Sequence, residues 1–346
     1  MLSDRIEAKW IDAFVKVFEL SKVTSGDEVV ILSETQSRAL NVQLAELALL
    51  RMGAKPLHVV MPTPPQSAPV PVRSTGASQA LQHSKAALAA LTSVPVVVDV
   101  TLEGPMHAPE LPTILKSGAR VIFVSNEHPD ALERLVPQEQ LKGQVLAASR
   151  LVRKSAEMRV TSPAGTDLTV NMVKAPTVGN WGFTDKPGTL THWPGGVLVS
   201  FPKANSVNGT LVLDVGDINL TFKRYLQEQL VLTIENDYVT NIEGSGTDYE
   251  LMTRYLAAWN DPLAYATSHV GWGMNPNARY EALSMYDQRD FNGTEIRCYA
   301  GNFLFSTGAN EFAGRFTEGH FDIPVRNCTI ALDGQVVVNK GALVPL

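Results

Sequence analysis

A change of pattern near residue 158 is what most limits the fold of this chain. Before it, helix-period segments alternate with short apolar runs. Residues 4–21 carry Ile6, Trp10, Phe14, Val17 and Phe18 at helical spacing. The apolar run 28–32 reads as a buried strand, residues 37–52 as a helix ended by Gly53, and 57–61 as the next strand. A loop rich in Pro, Ser and Thr spans 62–78. Helices near 79–92 and at 110–117 then lead into strands 94–100 and 120–124. β-Branched runs between helices predict a mainly parallel sheet covered on both faces, whose ligands bind beyond the carboxyl ends of the strands. A long helix near 137–158 is expected to close this domain.

After residue 158 the runs alternate apolar and polar and are separated by Gly, Asn and Asp turns, as in Gly209–Asp214 and Leu230–Glu235. The expectation is an α/β domain over 1–158. A mostly antiparallel β (α+β) domain follows over 159–346, with one helix near 248–258. A length of 346 residues suits two cores.

Composition narrows the function classes. The formal charge is −6, so no basic excess recruits nucleic acid or an anionic membrane. No run of 18 apolar residues occurs, and the charged N-terminus is unlike a signal peptide. Two cysteines, Cys298 and Cys328, make no disulfide framework, so reduced thiols in a cytoplasmic protein are expected. There is no G-x-G-x-x-G after a strand and no Walker A sequence, which argues against nucleotide cofactors.

The chemistry-bearing residues lie in the last quarter. His320 and Asp322 are two apart, so an extended strand turns both to one face. His269, in Ser268-His-Val-Gly-Trp-Gly273, supplies a third ligand. Two imidazoles and one carboxylate form the facial triad of non-haem Fe(II) oxygenases, with positions left open for substrate and O₂.

Several linked segments carry a resemblance. They are Thr191-His-Trp-Pro-Gly-Gly196, Gly209-Thr-Leu-Val-Leu-Asp-Val-Gly-Asp-Ile218, Ser268–Gly273, Gly301-Asn-Phe-Leu-Phe-Ser-Thr-Gly308 and His320–Cys328. Ile114-Leu-Lys-Ser-Gly-Ala-Arg120 follows His107 in the first half. In this order the chain resembles the 2,5-dihydroxypyridine 5,6-dioxygenase family of nicotinate and nicotine breakdown. The resemblance implies an Fe(II) enzyme that opens a dihydroxypyridine between C5 and C6 with both atoms of O₂, giving N-formylmaleamate. It also implies kinship with the two-metal aminopeptidases of the aminopeptidase T type. There, a metal-binding glutamate corresponds to His269, a second falls near Gly196 and a histidine falls near Leu304, while His320 and Asp322 remain. Losing those ligands argues against a two-metal clamp.

Within the resemblance His107 is the candidate general base for the substrate's 5-hydroxyl. His192 is a second acid/base or substrate-holding candidate, or a packing residue beside Trp193. Ser306 could bond the polar edge of the ring, or the backbone at a strand end. Met106 and Trp272 could wall a flat ring or belong to the core. His58, His83 and His128 have no motif and read as structural or surface residues. The expected partners are a small hydroxylated pyridine and O₂, in a homo-oligomer. The alternatives are a two-metal aminopeptidase and a ligand-binding protein without catalysis. The ring substituents accepted are not legible.

Overall fold

The computed structural model describes residues 5–65, 79–288 and 292–345. Most of the expected 62–78 loop, and the first four residues of the N-terminus, lie outside them. Four strands of the first half and one from beyond it build a five-stranded, wholly parallel sheet in the order Lys55–Met61, Glu28–Glu34, Val96–Asp99, Arg120–Phe123, Leu190–His192. Period-two alternation explains why its inner strands are apolar throughout. Val29 and Ile31 enter one core with Trp10, Phe14 and Phe18 of helix Ala8–Leu20, while Val30 and Leu32 enter a second core on the other face with Leu91 and Ile114. Ile6, expected on that helix, precedes it and is exposed. The edge strand Lys55–Met61 is less covered than a buried sheet predicts, with Leu57 and Val60 each more than half exposed.

The fifth strand comes from far along the chain. Leu190–His192 pairs with Arg120–Phe123, placing His192 opposite Phe123 at the carboxyl end of the sheet. Three residues give too short a run for a period to show.

The remainder forms two large antiparallel sheets and a two-stranded one, Ile218–Asn219 with Arg224–Tyr225. One has eight strands, from Tyr238–Glu243 at one edge to Ala342–Leu343 at the other. The other runs Arg315–Val325, Phe303–Asn310, Thr267–Gly273, Val197–Ser200, Thr177–Asn180. Leu168, Val170, Leu211 and Leu232 of the first sheet share a core with Val270, Trp272, Phe303 and Phe321 of the second. The helix expected over 137–158 is Glu139–Val152. Its buried face, Leu141, Val145, Ala148 and Val152, packs into this antiparallel core instead of closing the parallel sheet. Amphipathic spacing fixes which face a helix buries, not which core receives it. The helix expected near 248–258 is Gly246–Ala258, with Met252, Tyr255 and Leu256 in the same core.

Two glycines explain the Gly-Trp-Gly sequence. A Cβ on Gly271 would lie 1.8 Å from the Leu198 carbonyl oxygen, and one on Gly273 would lie 2.0 Å from that of Tyr299. Both positions admit only hydrogen because backbone passes over them. Across the junction of the two halves, Arg134 makes a bidentate ion pair with buried Glu295, at 2.6 and 3.0 Å, and donates to the Tyr286 hydroxyl at 3.1 Å. Cys298 and Cys328 are buried and free. Among the described residues no helix is long and apolar enough to cross a membrane.

Candidate metal centre

Three adjacent strands of the five-stranded antiparallel sheet assemble the centre. Strand Arg315–Val325 turns His320 and Asp322 to one face, and Phe303–Asn310 lies between it and Thr267–Gly273, which carries His269. Gly308 stands opposite His320 and Ser306 opposite Asp322 in the middle strand. The pairing of Thr267–Gly273 shifts register between Thr267 and Val270, at His269 itself. Such irregularities re-aim side chains next to active sites. His320 Nε2 lies 3.2 Å and His269 Nε2 3.7 Å from Asp322 Oδ1. One ligand atom from each of the three residues lies within 4.8 Å of the others, the one such group among the described residues.

The electrostatics suit a cation. Burial pushes the His269 imidazole down to about 3, against the opposing pull of Asp322, so the ring is neutral and its lone pair free. Burial alone would raise the Asp322 carboxyl, but Arg297 and His320 overcome it and hold the group well below the usual carboxylate range. Arg297 Nε donates to Asp322 Oδ2 at 2.6 Å, and the Ser306 hydroxyl donates to Oδ1. The Tyr255 hydroxyl donates to the His320 carbonyl at 2.7 Å, fixing that strand from behind. The Nδ1 atoms of His269 and His320 are buried without a hydrogen-bond partner. The Nε2 atoms meet the carboxylate oxygen in a buried pocket, where a cation would satisfy all three. Two imidazole nitrogens and one carboxylate oxygen are a donor set that divalent transition metals accept. The residues therefore fit a metal ion.

The centre opens into a cavity between the two halves, enclosing about 970 Å³ with its mouth included, large enough for a small ring. His107 reaches it from the loop after strand Val96–Asp99, its ring centroid 5.2 Å from that of His320. Its Nδ1 faces Glu311 Oε1 at 3.6 Å, and that interaction holds the Glu311 carboxyl below its ordinary range. His192 lines the same cavity and stacks on Phe123, centroids 4.7 Å apart and planes at 27°. Burial, with Arg297 and His107 adding to it, pushes His192 down to about 3. Met106 lines the cavity while packing on the second core of the parallel sheet.

Other sequence expectations land elsewhere. The Ser306 hydroxyl, considered for the ring edge or for backbone, bonds Asp322 instead and is fully buried. Trp272 belongs to the antiparallel core. Leu304 lines the cavity, and Gly196 has no space for a ligand: a Cβ there would meet Asn275 Cβ at 2.5 Å. His128 caps helix Pro129–Arg134, while His83 stands beside Glu110 and His58 beside Glu46.

Arg297, Glu311, Phe123 and Phe201 are the residues that sequence reasoning misses. Phe201 sets its edge against the His269 ring, centroids 5.6 Å apart. A carboxylate in an apolar strand signals that some buried cation must partner it. The sequence offers 29 Lys and Arg and no rule for choosing among them.

Comparisons with known proteins agree with one another. Residues 9–345 match the family model described as 2,5-dihydroxypyridine 5,6-dioxygenase (NicX). The 2,5-dihydroxypyridine 5,6-dioxygenase of Pseudomonas putida KT2440 is 38% identical over 341 residues, covering 97% of this chain and 96% of the relative. A solved structure of the dihydroxypyridine dioxygenase from that organism superposes with a TM-score of 0.93 at 37% identity, covering 99% of each chain. AmpT from Thermus thermophilus superposes with a TM-score of 0.66 at 14% identity, over 97% of this chain and 99% of that one, a likeness of fold alone.

Proposed function

The chain belongs to the 2,5-dihydroxypyridine 5,6-dioxygenase family, and on that premise we propose that it opens 2,5-dihydroxypyridine between C5 and C6, using O₂ at a mononuclear Fe(II) centre. The ligands are His269, His320 and Asp322, and the product is N-formylmaleamate. The observation that carries this reading is the convergence of two imidazole Nε2 atoms on one carboxylate oxygen, inside a cavity that a small ring can enter. Bound Fe(II) supplies the template and the electron path between ring and O₂.

The protein's own groups do the rest. The two hydroxyls of the substrate are para and cannot chelate as a catechol does, so holding the ring falls to side chains. His107 faces the centre from the opposite half and accepts the proton of the 5-hydroxyl, with Glu311 behind its Nδ1. His192, neutral and braced by Phe123, offers a hydrogen bond to a ring substituent. Met106, Leu190 and Leu304 wall the ring and displace water. Ser306 serves the reaction through Asp322. Buried free thiols suit a reducing, cytoplasmic setting. A two-metal aminopeptidase is not favoured: three ligands converge among the described residues, and the Gly196 position admits no fourth.

The test is anaerobic Fe(II) loading followed by an oxygen-electrode assay across a panel of hydroxypyridines. His269→Ala and Asp322→Ala should each abolish both iron content and O₂ uptake. Retained uptake in either variant refutes the ligand set.

A further inference from the structure

Asp322 presents two oxygens, and the structure treats them differently. Oδ1 faces both imidazole Nε2 atoms and accepts from Ser306. Oδ2 accepts from Arg297 Nε at 2.6 Å. The guanidinium is held in turn. Its Nη1 donates to Asn292 Oδ1 at 3.2 Å, and the side chain is 15% exposed. Arg297 also lines the cavity. A carboxylate that bridges two metal ions with one oxygen on each must present both oxygens, with the ions about 3.5–4 Å apart. A fixed guanidinium on Oδ2 stands where the second ion would bind and repels it.

We propose that Arg297 is the positioning residue that keeps this centre mononuclear: it holds the outer oxygen of Asp322, so that the carboxylate gives one oxygen to one ion. This rests on the reading of His269, His320 and Asp322 as ligands. Charged groups of both signs surround Arg297, with buried Lys223 facing Glu127 and Glu103. Glu127 is fully buried close by, with one carboxylate oxygen taking the Thr294 N–H at 2.6 Å and the other lacking a hydrogen bond. Glu103 lines the cavity as well. Without the guanidinium, Asp322 Oδ2 would lie open beside the first ion, where a second divalent cation could take it.

Mn(II) tests this with the full chain and no turnover, because equilibrium dialysis counts ions and electron paramagnetic resonance detects exchange between two bridged ions. Wild type should hold one ion, with uncoupled spectra, up to about a hundred-fold excess. Arg297→Gln should hold two ions with an exchange-coupled signal, and Arg297→Lys, which restores a cation on Oδ2, should return to one. One uncoupled ion in folded Arg297→Gln would overturn the inference, as would two coupled ions in wild type or in Arg297→Lys. Where Arg297→Gln does not fold, Arg297→Met, which keeps the aliphatic stem and removes the charge, is read against the same two outcomes. A wild type that binds no ion refutes the ligand set itself, a distinct result.

Discussion

Replacing Ser306 by alanine separates two roles that this hydroxyl could play. If it met the substrate ring, its loss would raise KM and leave metal affinity alone. In the structure it donates to Asp322 Oδ1, the oxygen that both imidazoles face, and it is fully buried. A hydrogen bond to a charged group contributes about 1.5–3 kcal/mol. Part of that is retained here, because Arg297 still grips Oδ2 and keeps the carboxylate ionised and oriented. We therefore expect about 1.4 kcal/mol, a roughly ten-fold weaker Kd for Fe(II), at the lower end of the range for residues that support metal ligands. The assay is chelator competition under argon, paired with KM for 2,5-dihydroxypyridine at saturating Fe(II). Metal affinity should fall while KM stays within about two-fold of wild type, an effect too small to register a lost ring contact. An unchanged Kd with a KM raised ten-fold would refute the reasoning and return Ser306 to the substrate.

Other perturbations follow from the same geometry. His107→Gln should retain one Fe(II) and lower kcat by about 10²–10⁴-fold, the usual contribution of a general base; wild-type kcat in the iron-loaded variant would remove His107 from the chemistry. Arg134→Ala strands the Glu295 carboxylate, which is 1% exposed, so it should cost about 3–5 kcal/mol and be visible as a lower urea midpoint; a midpoint unchanged from wild type would show the pair to be dispensable. His192 sits at about 3 when folded and near 6.5 when unfolded, so only the unfolded chain takes up its proton between those values. Stability of the metal-free protein should therefore fall as pH drops from 6.5 towards 3, with His192 contributing at most about 1.4 kcal/mol per pH unit. His192→Asn should flatten that slope, and urea titrations at pH 7 and pH 5 would expose an error if both proteins lose stability equally.

Legibility followed the range of the interactions. His320 and Asp322 are readable because a strand repeats every two residues, so their shared face is a local fact. His269 is readable only as a histidine in a distinctive segment; its approach depends on a strand lying between and on a register shift within its own. Helix Glu139–Val152 was expected from its period, yet it joins a core that local spacing does not name. Ser306 was legible as a polar residue in an apolar strand, and its true partner is set by cross-strand register. Arg297 left no local trace, because an ion pair formed across 25 positions has no periodicity.

By itself, the sequence determined the longer helices and several of the longer strands, much of which faces they bury, and which residue types can bind a metal, since these follow from patterns within a few residues. The tertiary structure alone decided that strand 190–192 crosses back to bring His192 beside Phe123, that His107 faces the centre from the other half, and that a guanidinium holds one carboxylate oxygen. Those are contacts between distant positions, set by how sheets pack and register. A one-dimensional pattern does not record which side chains share a buried space.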